Sequence, residues 1–173
     1  MISVDQIAAW CKPWNDLFSH SKLVSGSVTG AHIIALLFAG GLAIAADRST
    51  LRAYARDRTT RVYQAREVQA VHAPVLVGLG VLAASGILLA LSDVETFFPS
   101  PVFWIKLTLV ASLLVNGGVL TVTERSLNTS VASGLDASPA EDRLWSRMRV
   151  LAWTSVTLWT TTAVVGIVLS NVS

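Results

Sequence analysis

Hydrophobic positions along this chain come in long continuous runs, not in alternation. Four of them, at about 24–46, 71–91, 102–123 and 150–169, are long enough to cross a bilayer, which takes ~20 residues at ~1.5 Å each. Backbone polar groups in hydrocarbon must be satisfied within their own segment or in a closed barrel. None of the four runs alternates as a barrel strand does, so each predicts a helix. The fold class is therefore all-α, a four-helix transmembrane bundle forming one integral membrane domain over residues 1–173.

Two weaker patterns flank the bundle. Val4, Ile7, Cys11, Trp14 and Phe18 recur at helical spacing, which predicts an N-terminal helix lying in the membrane interface. Pro13 is expected to break it in two. Ser138-Pro139-Ala140-Glu141 has the form of a capping box with proline at the first helical position. It predicts a cytoplasmic amphipathic helix that carries Trp145 and runs into the fourth span. Residues 126–137 are expected to be a flexible linker. Ala43-Ile44-Ala45 resembles a signal-peptide cleavage site. The apolar run before it is ~20 residues, beyond the ~7–15 of a signal core, so the first span is expected to be retained.

Composition sharpens the class. Hydrophobic residues make up 53% of the chain and charged residues 14%, against roughly 25% charge in a soluble domain. A net charge of +2 gives no reason to expect nucleic acid as a partner. Of the 13 basic residues, six arginines lie between the first and second spans (48, 52, 56, 58, 61, 66) and four between the third and fourth (125, 143, 147, 149). Only Lys12, Lys22 and Lys106 lie on the other side. The positive-inside rule then places the arginine-bearing connections in the cytoplasm and both termini outside. Cys11 is the only cysteine, which excludes an intramolecular disulfide, a four-cysteine zinc site and Cys-x-x-Cys-His heme attachment.

Ionisable side chains within spans are costly and mark candidate sites. They are His32, His72 and Lys106, with Asp47, Asp93 and Glu124 at helix ends and Asn116 as the main mid-span amide. His32 lies ~12 Å inside the outer end of the first span, on a face continued by Ala35, Ala39 and Ala43. Small side chains admit either a close helix or a flat cofactor. His72 stands at the inner start of the second span, near Pro74, Arg66 and Glu67, where pairing with a loop group is the simpler role. His20, just before the first span, is expected to be solvated or interfacial, with an approach to an outer-leaflet cofactor as the alternative. Lys106 is about one turn inside the third span. It suits an anion such as a heme propionate or a quinone head, and the plainer expectation is that it snorkels outward toward Asp93 or Glu95. Gly26-x-x-x-Gly30, Gly80-x-x-x-Ala84 and Gly117-Gly118 are close-packing signals. The threonines at 154, 157, 160, 161 and 162 are expected to bond helix carbonyls, and Phe97, Phe98, Phe103 and Trp104 to form an outer aromatic belt.

Two stretches carry a resemblance. The first runs from Ala31-His32-Ile33-Ile34-Ala35-Leu36 through Ala46-Asp47-Arg48 to Leu51. The second comprises Ser85-Gly86-Ile87-Leu88-Leu89, Ser92-Asp93, Pro101-Val102-Phe103-Trp104-Ile105-Lys106-Leu107 and Asn116-Gly117-Gly118. Together, over roughly residues 28–124, they resemble small bacterial four-span membrane proteins of uncharacterised function, distantly similar to the copper-resistance D family. The resemblance implies a four-helix membrane bundle with His32 and Lys106 at recurring polar positions. It also implies either copper handling or binding of heme as in transmembrane b-type cytochromes.

Copper is the weaker of these. Copper(I) prefers thiolate and thioether ligands, and Met1, Met148 and Cys11 all lie outside the spans. Heme b takes an axial histidine, and His32 is the best-placed ligand to the metal. His32 and His72 cannot share one iron, since they differ by ~15 Å in depth across a ~30 Å core. A second ligand would be absent, a non-histidine group, His20, or a group from another subunit. The first reading is thus a heme-b-binding electron-transfer protein in contact with lipid, exchanging electrons with quinone or other membrane redox subunits. The alternatives are an accessory subunit of a larger complex or a homo-oligomer without its own cofactor, and a copper or small-solute transporter. The absence of a charged path from side to side counts against transport.

Overall fold

The computed structural model describes residues 4–54, 56, 58–132 and 139–172; within these, the side chains of 58, 59, 62, 64–69, 72, 130–132 and 170–172 are outside the description. The elements in chain order are α1 (Val4–His20), α2 (Lys22–Tyr54), α3 (Arg58–Ser92), α4 (Val94–Phe97), α5 (Pro101–Ala132) and α6 (Pro139–Val172). The described residues contain no strand. Four helices are long and apolar enough to cross a membrane: α2, the Ala73–Ser92 part of α3, α5 and α6.

Each of these helices outruns its apolar stretch. The 33 residues of α2 span ~50 Å at ~1.5 Å per residue, well beyond a ~30 Å core. Its extra turns carry Arg48 and Arg52, so these arginines ride on a helix and not on a loop. α5 likewise continues to Ala132, so residues 126–132 of the expected linker are helical. The remainder of that linker, and Ser138 of the capping box, lie outside the described residues. α6 begins at Pro139, with Glu141 and Asp142 in its first turn, where carboxylates favour the positive end of the helix dipole.

α1 is one helix, with Pro13 inside it. A proline removes a single backbone hydrogen bond and strains one turn, and packing holds α1 through it. The Trp14 indole Nε1 donates to the Leu88 carbonyl at 2.9 Å, fastening α1 to α3. Ser21 alone separates α1 from α2, and its hydroxyl accepts from the Val24 backbone N–H at 3.3 Å, in the manner of an N-cap.

The long helices form a ring. α2 packs against α3 and α6, α5 packs against α6, and α3 and α5 meet most thinly. The centre is apolar: Ala35, Ala39, Leu79, Leu82, Leu113 and Trp159 form one buried cluster. Glycines set the closest approaches. A Cβ on Gly78 would come 2.7 Å from the Cβ of Ala39, and one on Gly40 would come 3.1 Å from the Trp159 ring. Gly26, Gly30, Gly80, Gly117 and Gly118, the positions that spacing singled out, have nothing within 4 Å of such a Cβ. Inside this chain the close contacts fall on other glycines.

Aromatic and arginine side chains close the arginine-bearing end. Trp145 and Leu127 are buried there beside Tyr54 and Leu144. The guanidinium of Arg149 lies 5.0 Å from the Tyr54 ring centre, and that of Arg61 lies 5.5 Å from Tyr54 and 5.9 Å from Trp145. Arg61 also pairs with Asp142 at 3.3 Å. At the opposite end Phe97, Phe98, Phe103 and Trp104 touch ring to ring, and Trp104 donates to the Phe98 carbonyl at 2.9 Å.

Candidate functional site

His32 projects from α2 toward α3, half-buried, with Nδ1 3.0 Å from the Ser85 hydroxyl. Ser85 is 5% exposed. Its Oγ donates to the Val81 carbonyl at 2.6 Å, with the Leu82 carbonyl at 3.2 Å sharing the same hydrogen. A hydroxyl has one hydrogen, and Ser85 has spent it within its own helix. With that hydrogen on the Val81 carbonyl, the serine accepts from the Nδ1–H tautomer of His32, the form in which Nε2 carries the lone pair.

Gly86 makes room for the ring. A Cβ there would lie 3.1 Å from His32 Cε1 and 3.7 Å from Nδ1, closer than carbon atoms comfortably pack. The adjacent Ser85 and Gly86 thus seat the imidazole between them, one by a hydrogen bond and the other by having no side chain. Ala35 and Ala39, on the face of α2 continued from His32, are 5% and 0% exposed.

Lys106 approaches from α5. Its Nζ would lie 3.6 Å from a Cβ on Gly166 of α6, so the ammonium turns into the α5–α6 seam. Among the described residues Lys106 has no hydrogen-bond or ion-pair partner. The expectation of a carboxylate partner is therefore corrected. Asp93 instead caps α4, accepting from the Thr96 N–H at 3.2 Å, and Glu95 is exposed in that short helix. His32 thus sits beside Gly86 of α3, and Lys106 beside Gly166 of α6.

The other histidines stand apart. His20 is exposed in the last turn of α1, with Nδ1 2.7 Å from the Asp16 carbonyl and 3.3 Å from the Ser19 hydroxyl. The side chain of His72 lies outside the described residues. No group of three or more His, Cys, Asp or Glu side chains able to hold a bare metal ion occurs among the described residues.

Sequence reasoning missed the roles of Ser85, Gly86 and Gly166. It also placed Asp47 and Glu124 at helix ends, whereas both are buried, at 3% and 2% exposure. Their signal was present: each falls on the inward face of its helix, Asp47 in register with Ala39 and Ala43, and Glu124 with Leu113, Asn116 and Leu120. No family model, curated protein or solved structure matches this chain.

Proposed function

We propose that this chain is a membrane-embedded electron-transfer protein that binds heme b, with His32 Nε2 as axial ligand and Lys106 as the cationic partner of a heme carboxylate. The observation that carries the reading is the seat of His32, whose Nδ1 lies 3.0 Å from the buried Ser85 hydroxyl. A ligating imidazole characteristically gives its other ring N–H to a fixed acceptor, which sets orientation and leaves the opposite nitrogen free for the metal. Ser85 fills that role here. The chain's residues fit the group in two further respects. Lys106 is an ammonium without a counter-charge among the described residues, and Gly86 and Gly166 keep side chains out of the space beside His32 and Lys106.

When bound, the heme supplies a reversible one-electron carrier. The protein's own part is to hold one nitrogen lone pair at fixed orientation, to present a positive charge near it, and to exclude water with Ala35, Ala39 and Leu82. Copper is disfavoured by ligand chemistry: Cys11 is in α1, and Met148 is buried in the part of α6 near the arginine-bearing end. The reading also takes the arginine-bearing end as cytoplasmic, both termini as periplasmic, and the heme as lying in the outer half of a bacterial inner membrane. In it α1 lies in the outer interface, exposing Trp10 and Leu17 to lipid headgroups, and the first turns of α6 form the cytoplasmic amphipathic segment.

The test is an absorbance spectrum of wild type, His32→Ala and His72→Ala, each grown with ample heme and purified in mild detergent. The expected result is a Soret band in wild type and His72→Ala and none in His32→Ala. A colourless wild type would refute the cytochrome reading and leave an accessory subunit as the better one.

A further inference from the structure

The arginine-bearing end carries positive charge that the chain itself does not balance. Among the described side chains there, Asp47, Glu124 and Glu141 are buried, and the exposed carboxylate, Asp142, is paired with Arg61 at 3.3 Å. Arg125, Arg147 and Arg149 are exposed, and none of them pairs with a carboxylate among the described residues. Charge alone would make this end a diffuse basic surface, but Arg149 is built into a cluster.

The Arg149 guanidinium lies 5.0 Å from the Tyr54 ring centre, and that of Arg61 lies 5.5 Å from the same ring. The Tyr54 hydroxyl is 3.4 Å from the Ser146 hydroxyl. Two hydroxyls carry two hydrogens and this contact uses one, so an O–H is left for an outside acceptor. Thr157, Thr160 and Thr161 further along α6 each donate to the carbonyl four residues back, at 2.8–2.9 Å. Ser146 makes no such bond among the described residues. A guanidinium held against an aromatic ring is preorganised, and its planar fork can give two N–H groups to one phosphate.

On the membrane side of this cluster the surface is apolar. Arg149 directly precedes the apolar run of α6, where Val150 is 64% and Trp153 57% exposed. Ser146, Arg149 and Trp153 stand at i, i+3 and i+7 and share one helix face. Trp153 is ~6 Å deeper than Arg149, at the level where an indole suits the boundary between headgroup and hydrocarbon. A cation and hydroxyls above a bare indole call for a ligand with an anionic head and an apolar body.

We infer that this face of α6 binds an anionic phospholipid, one whose phosphodiester charge is not offset by an amine in its own head. Arg149 and the Tyr54–Ser146 hydroxyl pair donate to the phosphate oxygens. Trp153 Nε1 donates to an ester carbonyl below them, and the acyl chains lie against Val150 and the indole. Arg61, already neutralised by Asp142, backs the Tyr54 ring. The site is at the opposite end of α6 from Gly166 and Lys106, and it goes beyond the heme reading without depending on it.

The experiment is native mass spectrometry of the full chain, delipidated in mild detergent, with dioleoylphosphatidylglycerol and dioleoylphosphatidylcholine added together at equal concentration. The two share tails and phosphodiester and differ in the net charge of the head. Wild type should retain phosphatidylglycerol in preference. Arg149→Gln should weaken that binding about fivefold, the share of one arginine at a membrane surface, and Arg149→Lys should weaken it less. Arg125→Gln and Arg147→Gln remove the same charge from the same end and should leave it nearly unchanged. Equal retention of the two lipids, equal losses in all three glutamine variants, or displacement of the lipid by excess glycerol 3-phosphate would overturn the proposal. The readout is the mass of bound lipid, so a colourless protein that retains phosphatidylglycerol through Arg149 would fail the heme reading alone.

Discussion

Replacing Gly86 with alanine tests the seat of His32 through energetics alone. The new Cβ would stand 3.1 Å from His32 Cε1, some tenths of an ångström inside the ~3.5–4.0 Å optimum for carbon pairs. The ring must yield, and it is tied by Nδ1 to Ser85. Overpacking of this kind costs ~1–3 kcal/mol, and losing the histidine–serine hydrogen bond adds ~0.5–1.5 kcal/mol. Against this, alanine gains up to ~1 kcal/mol over glycine within a helix. With the full gain of ~1 kcal/mol taken, the net effect in wild type is a loss of ~0.5–3.5 kcal/mol. With His32 already alanine there is no ring to meet, so Gly86→Ala should be neutral or stabilising by up to ~1 kcal/mol. The coupling between the two positions is then ~1.5–4.5 kcal/mol, far above the ~0.3–0.5 kcal/mol scatter of independent sites. A double-mutant cycle on unfolding in mixed micelles measures it. Equal effects of Gly86→Ala in both backgrounds would refute the seating argument.

Lys106→Met should lower heme retention and Lys106→Arg should lower it less, read as the Soret-to-protein absorbance ratio; equal ratios in all three proteins would remove Lys106 from the site. For orientation, single cysteines at Thr60 and Ser100, in a Cys11→Ala background, should react with a membrane-impermeant maleimide in intact cells only at position 100. Labelling at position 60 would invert the topology.

The four spans were legible because a bilayer leaves a chain few choices: ~20 apolar residues without strand alternation must be a helix. Helix ends were less so, since hydropathy marks where lipid stops and not where hydrogen bonding stops. α2 and α5 run on past residues 46 and 123 because nothing in those polar turns breaks a helix. The face of His32 was readable from Ala35 and Ala39, small residues at helical spacing that prove buried. The glycine pairs misled for a related reason. Spacing shows which positions share a face, but a neighbouring helix decides which face is covered, so Gly40, Gly78 and Gly86 make the contacts. The turning of Lys106 toward Gly166 depends on the rotation of α5 against α6, which no local pattern encodes. Ser85 was hidden by chemistry: a serine in a membrane helix ordinarily spends its hydrogen on the preceding turn. Ser85 does so too, and the same hydroxyl lies 3.0 Å from His32 Nδ1.

The central claim is that a single nitrogen, His32 Nε2, holds the heme. Imidazole rescue tests it most directly. His32→Gly, purified with heme present, should be colourless or nearly so, and added imidazole should restore the Soret band by occupying the vacated position, while His72→Gly should need no rescue. A Soret band in His32→Gly equal to that of wild type without imidazole, or a heme-loaded wild type whose His32→Gly variant gains nothing from imidazole, would contradict the account.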